Sequence, residues 1–215
     1  MSEGVAIVIL CKPLKLAKCR LAPILDAQER AAFAAAMLSD VLDAACGART
    51  ARRIAVRSAD AGVGRIALAK GAEWQFEEAT QGLNAAASAA SASACQSGER
   101  SLMLLSADLP FATAADIDRL AELGTYAGAR AHDGGTNALL LDPARPFQFL
   151  YGPNSFSAHA AGLAAQGESL RCLVSGGLAE DVDTPPAVAR LLNKRVGAAT
   201  HAFLGELPHL REQVA

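Results

Sequence analysis

The chain has no long apolar run near its start, no marked excess of either charge and no paired-cysteine motif. Its first apolar stretch, Val5 to Leu10, falls well short of the roughly 20 residues that a membrane-spanning helix needs. Glu3 stands where a secretory leader carries positive charge, and Lys12-Pro13 interrupts the stretch, so a cytoplasmic location is expected rather than export. Lys plus Arg number 20 against 22 Asp plus Glu, a formal charge of −2. That balance is too close to neutral for a general polyanion binder, and nucleic acid is not the expected partner. The five cysteines (Cys11, Cys19, Cys46, Cys95 and Cys172) are odd in number and scattered, which argues against both a disulfide framework and a zinc site. The four histidines show neither triad nor metal-ligand spacing. Only His159 stands out, one helical turn after Ser155 on the same face. A glycine-rich Walker loop is missing too, and no internal repeat is visible.

What the chain does have is material for a core. With 215 residues, 52% of them hydrophobic and 20% charged, global disorder is excluded and a single domain spanning residues 1–215 is expected. Residues 197–215 have weak periodicity and are assigned no role.

Val5 to Leu10 is a continuous, partly β-branched apolar run, as in a strand buried on both faces of a parallel sheet. Further strands are predicted around Arg53 to Arg57, Glu73 to Glu77, Ser101 to Ser106 and Ala138 to Leu141. A helix capped by Asp26, with Glu29 three residues on, should run to about Gly47. Other helices are predicted over Asp60 to Lys70, Leu83 to Cys95, Ala114 to Leu123 after the Thr113/Asp116 cap pair, Phe156 to Ala165, and from Pro185 through Asn193. The alternation indicates an α/β fold with a mostly parallel sheet and helices on both faces. The nearly pure Ala/Ser stretch Ala85 to Cys95 reads as a helix rather than a linker. Gly62-Val-Gly64-Arg-Ile-Ala67 has the letters of a dinucleotide-binding loop but begins several residues after its strand, and reads as chance.

Lys12, Lys15, Lys18 and Arg20 follow the first strand directly. In an open α/β sheet the carboxyl ends of the strands form the ligand crevice, so these cations suit a polyphosphate. A solvated basic loop would carry the same charges. Asp108 follows another apolar strand and precedes Pro110, which stops that strand and leaves a carboxylate at the same crevice. In Asp181-Val-Asp183 the two carboxylates point the same way if the segment is extended. Asp108, Asp181 and Asp183 together could hold Mg²⁺ against a nucleotide, while local helix capping is the alternative for Asp108 and Asp183. Thr136, Gly152 and Ser155 could hold an acid or a phosphate, Ser155 with free backbone N–H groups at a helix start; ordinary turns explain the same glycines.

Lys12-Pro-x4-Ala-Lys18-x-Arg20-Leu, Gly82-Leu-Asn84, Ala107-Asp-Leu-Pro110, Gly135-Thr-Asn-Ala-Leu139, Gly152-Pro-x-Ser-Phe-x2-His159 and Asp181-Val-Asp-Thr-Pro185 occur in unbroken order. Together they resemble the 2-phospho-L-lactate guanylyltransferase family of coenzyme F-420 biosynthesis, which includes phosphoenolpyruvate guanylyltransferases. The resemblance covers residues 5 to about 190. It implies a three-layer, Rossmann-like fold of the nucleotide-diphospho-sugar-transferase kind, like that of the molybdenum-cofactor guanylyltransferases. The implied activity is transfer of GMP from GTP to phosphoenolpyruvate, 2-phospho-L-lactate or 3-phospho-D-glycerate, with Mg²⁺ as cofactor. By the same resemblance Lys12, Lys18 and Arg20 contact nucleotide phosphates, with Gly82 and Asn84 near the nucleoside. Asp108, Asp181 and Asp183 correspond to Mg²⁺ ligands, and Thr136, Gly152 and Ser155 to the positions that hold the acid. Lys18, Arg20 and Asp108 form the expected catalytic set. Cys19 departs from the Ser usual between the Lys and Arg, and Cys11 before Lys12 is a second departure. Rival readings are a molybdopterin or sugar-phosphate nucleotidyltransferase of the same fold, and a GTP-binding protein without catalysis. Homodimerisation is left open.

Overall fold

The computed structural model describes residues 4–78 and 81–210. Glu3 and the tail residues 211–215 lie outside them. The first strand, β1 (Val5–Leu10), is buried along its whole length. Its side chains alternate between two hydrophobic clusters, with Val5, Ile7 and Ile9 in one and Val8 and Leu10 in the other. A strand with both faces covered has no polar face to show, hence the unbroken apolar run.

Around β1 lie β2 (Ala51–Ser58), β3 (Glu73–Phe76), β4 (Leu102–Ser106), β5 (Ala127–Arg130), β6 (Thr136–Leu141) and β7 (Arg171–Cys172). They form one seven-stranded sheet in the order β3-β2-β1-β4-β6-β5-β7. The pairs among β1, β2, β3 and β4 are parallel, as is β5 with β7, whereas β6 is antiparallel to both β4 and β5. The sheet is therefore mixed but mostly parallel.

The helices are α1 (Ala27–Gly47), α2 (Ala61–Ala69), α3 (Leu83–Gln96), α4 (Ala114–Glu122), α5 (Ser155–Ala164), α6 (Gly176–Ala179), α7 (Pro185–Leu191) and α8 (Ala198–Glu206). On one face of the sheet α1, α2 and α4 contribute Leu38, Val41, Val63, Ala67, Ile117 and Leu120. On the other, the Ala/Ser segment does form a helix, α3, which packs through Ala87, Ala90 and Ala94, and α5 adds Leu163. Both expected capping boxes form: Asp26 accepts from the Gln28 and Glu29 N–H groups, and Thr113 pairs reciprocally with Asp116. Gly64 lies inside α2 against the Trp74 ring, where an added Cβ would overlap the indole. Close helix-to-strand packing accounts for that glycine.

Residues 197–215 were assigned no role from sequence; within them α8 docks on α1. Phe203 stacks on Phe33 with ring centroids 5.1 Å apart, and burying a phenylalanine contributes about 1.5–3 kcal/mol. Asp40, a buried carboxylate of α1, accepts from the Ala199 and Thr200 N–H groups at 2.9 Å each. It thus caps α8 from a different helix, which is why no local signal announces the element. The strands β5 and β7 were also not anticipated. β5 reads Ala-Gly-Ala-Arg and β7 has two residues, so neither offers β-branched side chains or a measurable alternation.

Candidate functional site

A cavity of about 390 Å³ opens at the carboxyl ends of β1 and β4, the crevice where α/β sheets receive ligands. Its wall includes Lys12 and Lys18 from the loop after β1, Gly82 before α3, Asp108 after β4, and Asp181 and Asp183 before α7. Thr136, Gly152 and Ser155 line the same cavity. Lys15 and Arg20 are exposed and outside its wall, although Arg20 is near enough for its charge to act on Asp183. Gly82 has φ +90°, a backbone state that a Cβ would strain, and this lets the chain turn from the cavity rim into α3.

A charged centre on the cavity wall is built around Lys18. Two short 3-10 turns, Leu14–Leu16 and Cys19–Leu21, follow β1, and Lys18 stands between them with a left-handed backbone (φ 55°). Its side chain is 2% exposed, and Nζ lies 2.6 Å from both Asp108 Oδ2 and Asp183 Oδ1. Burial works against the ammonium charge, but the two carboxylates outweigh it and hold the lysine above its ordinary pKa. Burial likewise opposes ionisation of Asp183, where Lys18 prevails and keeps the carboxyl below its usual range. Asp181 goes the other way: burial, then repulsion from Asp108, pushes it up.

Ligand oxygens of Asp108, Asp181 and Asp183 all lie within 4.8 Å of one another. The donors are hard oxygens, as a Mg²⁺ site requires. Asp181 receives a hydrogen bond from Asn137 Nδ2 at 3.4 Å and has no lysine or arginine against it, unlike Asp108 and Asp183 with Lys18, among the ion pairs of the described residues. The residues present therefore fit a divalent ion. Cys11 also faces the cavity, but burial, followed by the charges of Asp108 and Asp60, drives its thiol to about 12. It is no nucleophile at neutral pH.

The same wall also carries a pair of neutral hydroxyls. Thr136, at the start of β6, and Ser155, at the start of α5, are buried with their hydroxyl oxygens 3.1 Å apart. The expectation of free N–H groups at that helix start needs correcting for two of them. Ser155 N–H donates to Gly152 O and Phe156 N–H to Gly134 O, so neither is free for a ligand. Asn84 does not line the cavity. Its side chain grips the backbone of Tyr151, accepting from Tyr151 N–H at 2.7 Å and donating to Tyr151 O at 3.2 Å. It thereby ties the start of α3 to the loop that carries Gly152.

Two features were missed by sequence reasoning. Asn137 donates to Leu178 O at 3.0 Å as well as to Asp181, steadying a carboxylate 44 residues away in sequence. Its position beside Thr136 in the quoted motif was the available signal. The Arg57–Glu77 pair, at 2.8 Å on the cavity wall, left none, because neither residue belongs to a recognisable pattern.

Comparisons with known proteins show the family and the fold. The family described as "Guanylyl transferase CofC like" matches residues 5–210. A phosphoenolpyruvate guanylyltransferase of Roseiflexus castenholzii is 37% identical over 176 residues, covering 82% of each chain. A 3-phospho-D-glycerate guanylyltransferase of Phenylobacterium zucineum is 34% identical, over 89% of this chain and 91% of that one. Among solved structures, a putative nucleotide-diphospho-sugar transferase from Desulfovibrio desulfuricans G20 superposes with a TM-score of 0.81 at 18% identity, covering 100% of this chain and 99% of that one, a likeness of fold. With the sequence match running through every element that builds the cavity, the chain belongs to the CofC-like guanylyl transferase family and is a nucleotidyltransferase.

Proposed function

We propose that the chain transfers GMP from GTP to the phosphate of a three-carbon phospho-acid, releasing pyrophosphate, as a step of coenzyme F-420 biosynthesis. The acceptor is phosphoenolpyruvate, 2-phospho-L-lactate or 3-phospho-D-glycerate. The observation that carries this reading is one cavity wall that brings together a carboxylate and lysine centre and a pair of neutral hydroxyls.

The chemistry needs little proton transfer. A phosphate monoester has its second pKa near 6, so the acceptor is mostly a dianion at neutral pH and attacks without a general base. One of its oxygens bonds to the α-phosphorus of GTP while the bond from that phosphorus to the β-phosphate bridge breaks, and pyrophosphate leaves with the electron pair. The barrier is the approach of two polyanions, which cations and orientation lower. Lys12 and Lys18 supply positive charge at the wall, with Arg20 beside it. Asp108, Asp181 and Asp183 would hold Mg²⁺, which when bound neutralises phosphate charge. Thr136, Gly152 and Ser155 hold the acid, and Gly82 borders the nucleoside with Asn84 fixing the loop opposite.

The test is incubation with GTP, Mg²⁺ and each acid in turn, followed by mass spectrometry and a coupled pyrophosphate assay. The expected result is a guanosine diphospho-linked acid formed one for one with pyrophosphate. GTP binding with no product from any of the three acids would overturn the proposal.

A further inference from the structure

His159 lies behind Thr136, 1% exposed, with Phe147 at 5.5 Å and Tyr151 edge-on at 5.1 Å between ring centroids. Both ring nitrogens have partners. Leu150 N–H points at Nε2 from 2.8 Å, and Thr136 Oγ1 lies 3.1 Å from Nδ1. A backbone amide only donates, so Nε2 must accept. An imidazolium, or the tautomer protonated on Nε2, would set one N–H against another at that distance. The ring is therefore neutral with its proton on Nδ1, and Nδ1–H donates to Thr136 Oγ1. Burial, which lowers the ring pKa to about 4, acts in the same direction.

This assignment decides what the two hydroxyls can offer. Thr136 and Ser155 share two O–H protons across a 3.1 Å contact. Because the histidine gives a proton to Thr136 and takes none, one hydroxyl proton bridges the pair and the other is left over. Whichever hydroxyl carries it, that proton is available to a ligand in the cavity lined by both residues. The opposite tautomer would accept the Thr136 proton and leave only one for the bridge and the ligand together.

We infer that His159 is a positioning residue for the acceptor acid: by donating to Thr136 it holds the Thr136–Ser155 pair with an O–H donor directed at the anionic acid. The inference rests on the acceptor assignment proposed above and adds to it a residue that touches no substrate. A hydrogen bond to a charged group is worth about 1.5–3 kcal/mol, which corresponds to roughly tenfold or more in affinity.

The experiment has two arms on the whole chain. In wild type labelled with ¹⁵N-histidine, NMR at neutral pH should show His159 neutral and protonated on Nδ1; protonation on Nε2 would overturn the inference whatever the acceptor proves to be. In steady-state kinetics, His159→Leu should raise KM for the acid about tenfold or more with KM for GTP unchanged. His159→Asn, which keeps a donor near the Nδ1 position, should recover most of that loss. Within a Thr136→Val background, His159→Leu should add nothing further to the acid KM. Equal losses for both substrates, no rescue by asparagine, or independent effects of the two substitutions would mean that His159 only fills space. Should His159→Leu fail to fold by thermal melt, the Asn variant and the tautomer decide the matter. If wild type uses none of the acids, the acceptor reading fails, while the tautomer still reports on the hydrogen-bond premise.

Discussion

Two polar groups on one cavity wall differ in their physics. In the first, Lys18 is clamped between Asp108 and Asp183 at 2.6 Å each, and Asp181 is held above its usual pKa by burial and by Asp108. In the second, Thr136, Ser155 and His159 form a buried, neutral hydrogen-bonded set. Charge in a partly desolvated site acts strongly but without much direction, whereas oriented O–H groups are weaker and directional. The first suits a polyphosphate whose charge must be offset, and the second a small acid whose pose must be fixed.

Asp108→Asn should show the largest effect. It removes one carboxylate from the metal set and one partner of Lys18, and turnover should fall about a hundredfold or more with the circular-dichroism melt little changed. A rate near wild type would take Asp108 out of the charged centre. Thr136→Val should be milder and act on one substrate: KM for the acid up about tenfold, KM for GTP steady. Equal changes in both would erase the distinction between the two groups.

Two smaller effects lie away from the cavity and serve as controls on it. Asp40→Ala removes the cap of α8 supplied by α1 and should lower unfolding stability by about 1–2 kcal/mol, read by denaturant titration, with kcat and both KM values unchanged. A change in KM would couple the tail to the site. The least effect concerns Asp118. Burial opposes its ionisation, but hydrogen bonds from Thr50 and Arg49 outweigh this and bring its pKa down to about 2 from the ordinary 3.8. A depressed folded-state pKa gives stability that is present above the unfolded value and lost as pH falls through the folded one. Melting temperature should therefore decline between pH 3.8 and about 2 more steeply in wild type than in Asp118→Asn; parallel curves would remove Asp118 from acid sensitivity.

Features written in local patterns were legible in the sequence. Val5 to Leu10, the Asp26/Glu29 and Thr113/Asp116 capping boxes and the small-residue helix α3 each carry their cause within a few residues. The composition of the cavity wall was also anticipated, because loops at strand ends fall at one sheet edge. What stayed hidden depends on partners far along the chain. Lys18 meets carboxylates 90 and 165 residues away, so a cation expected on phosphates is found between two aspartates. Asn84 meets the backbone of Tyr151, 67 residues on, and thus clasps a loop from outside the cavity. α8 is capped by a residue 159 positions before it. No spacing rule reaches across such separations.

The central claim is that Asp108, Asp181 and Asp183 act together on a divalent ion beside the nucleotide. Anomalous diffraction from crystals grown with Mn²⁺ and a non-hydrolysable GTP analogue tests it most directly. The account predicts one strong peak bonded to oxygens of Asp108 and at least one of the two later aspartates, with the analogue's phosphates against the same ion. Phosphates bound in the cavity with the manganese elsewhere, or with Lys18 still closing the carboxylates off from any ion, would contradict it.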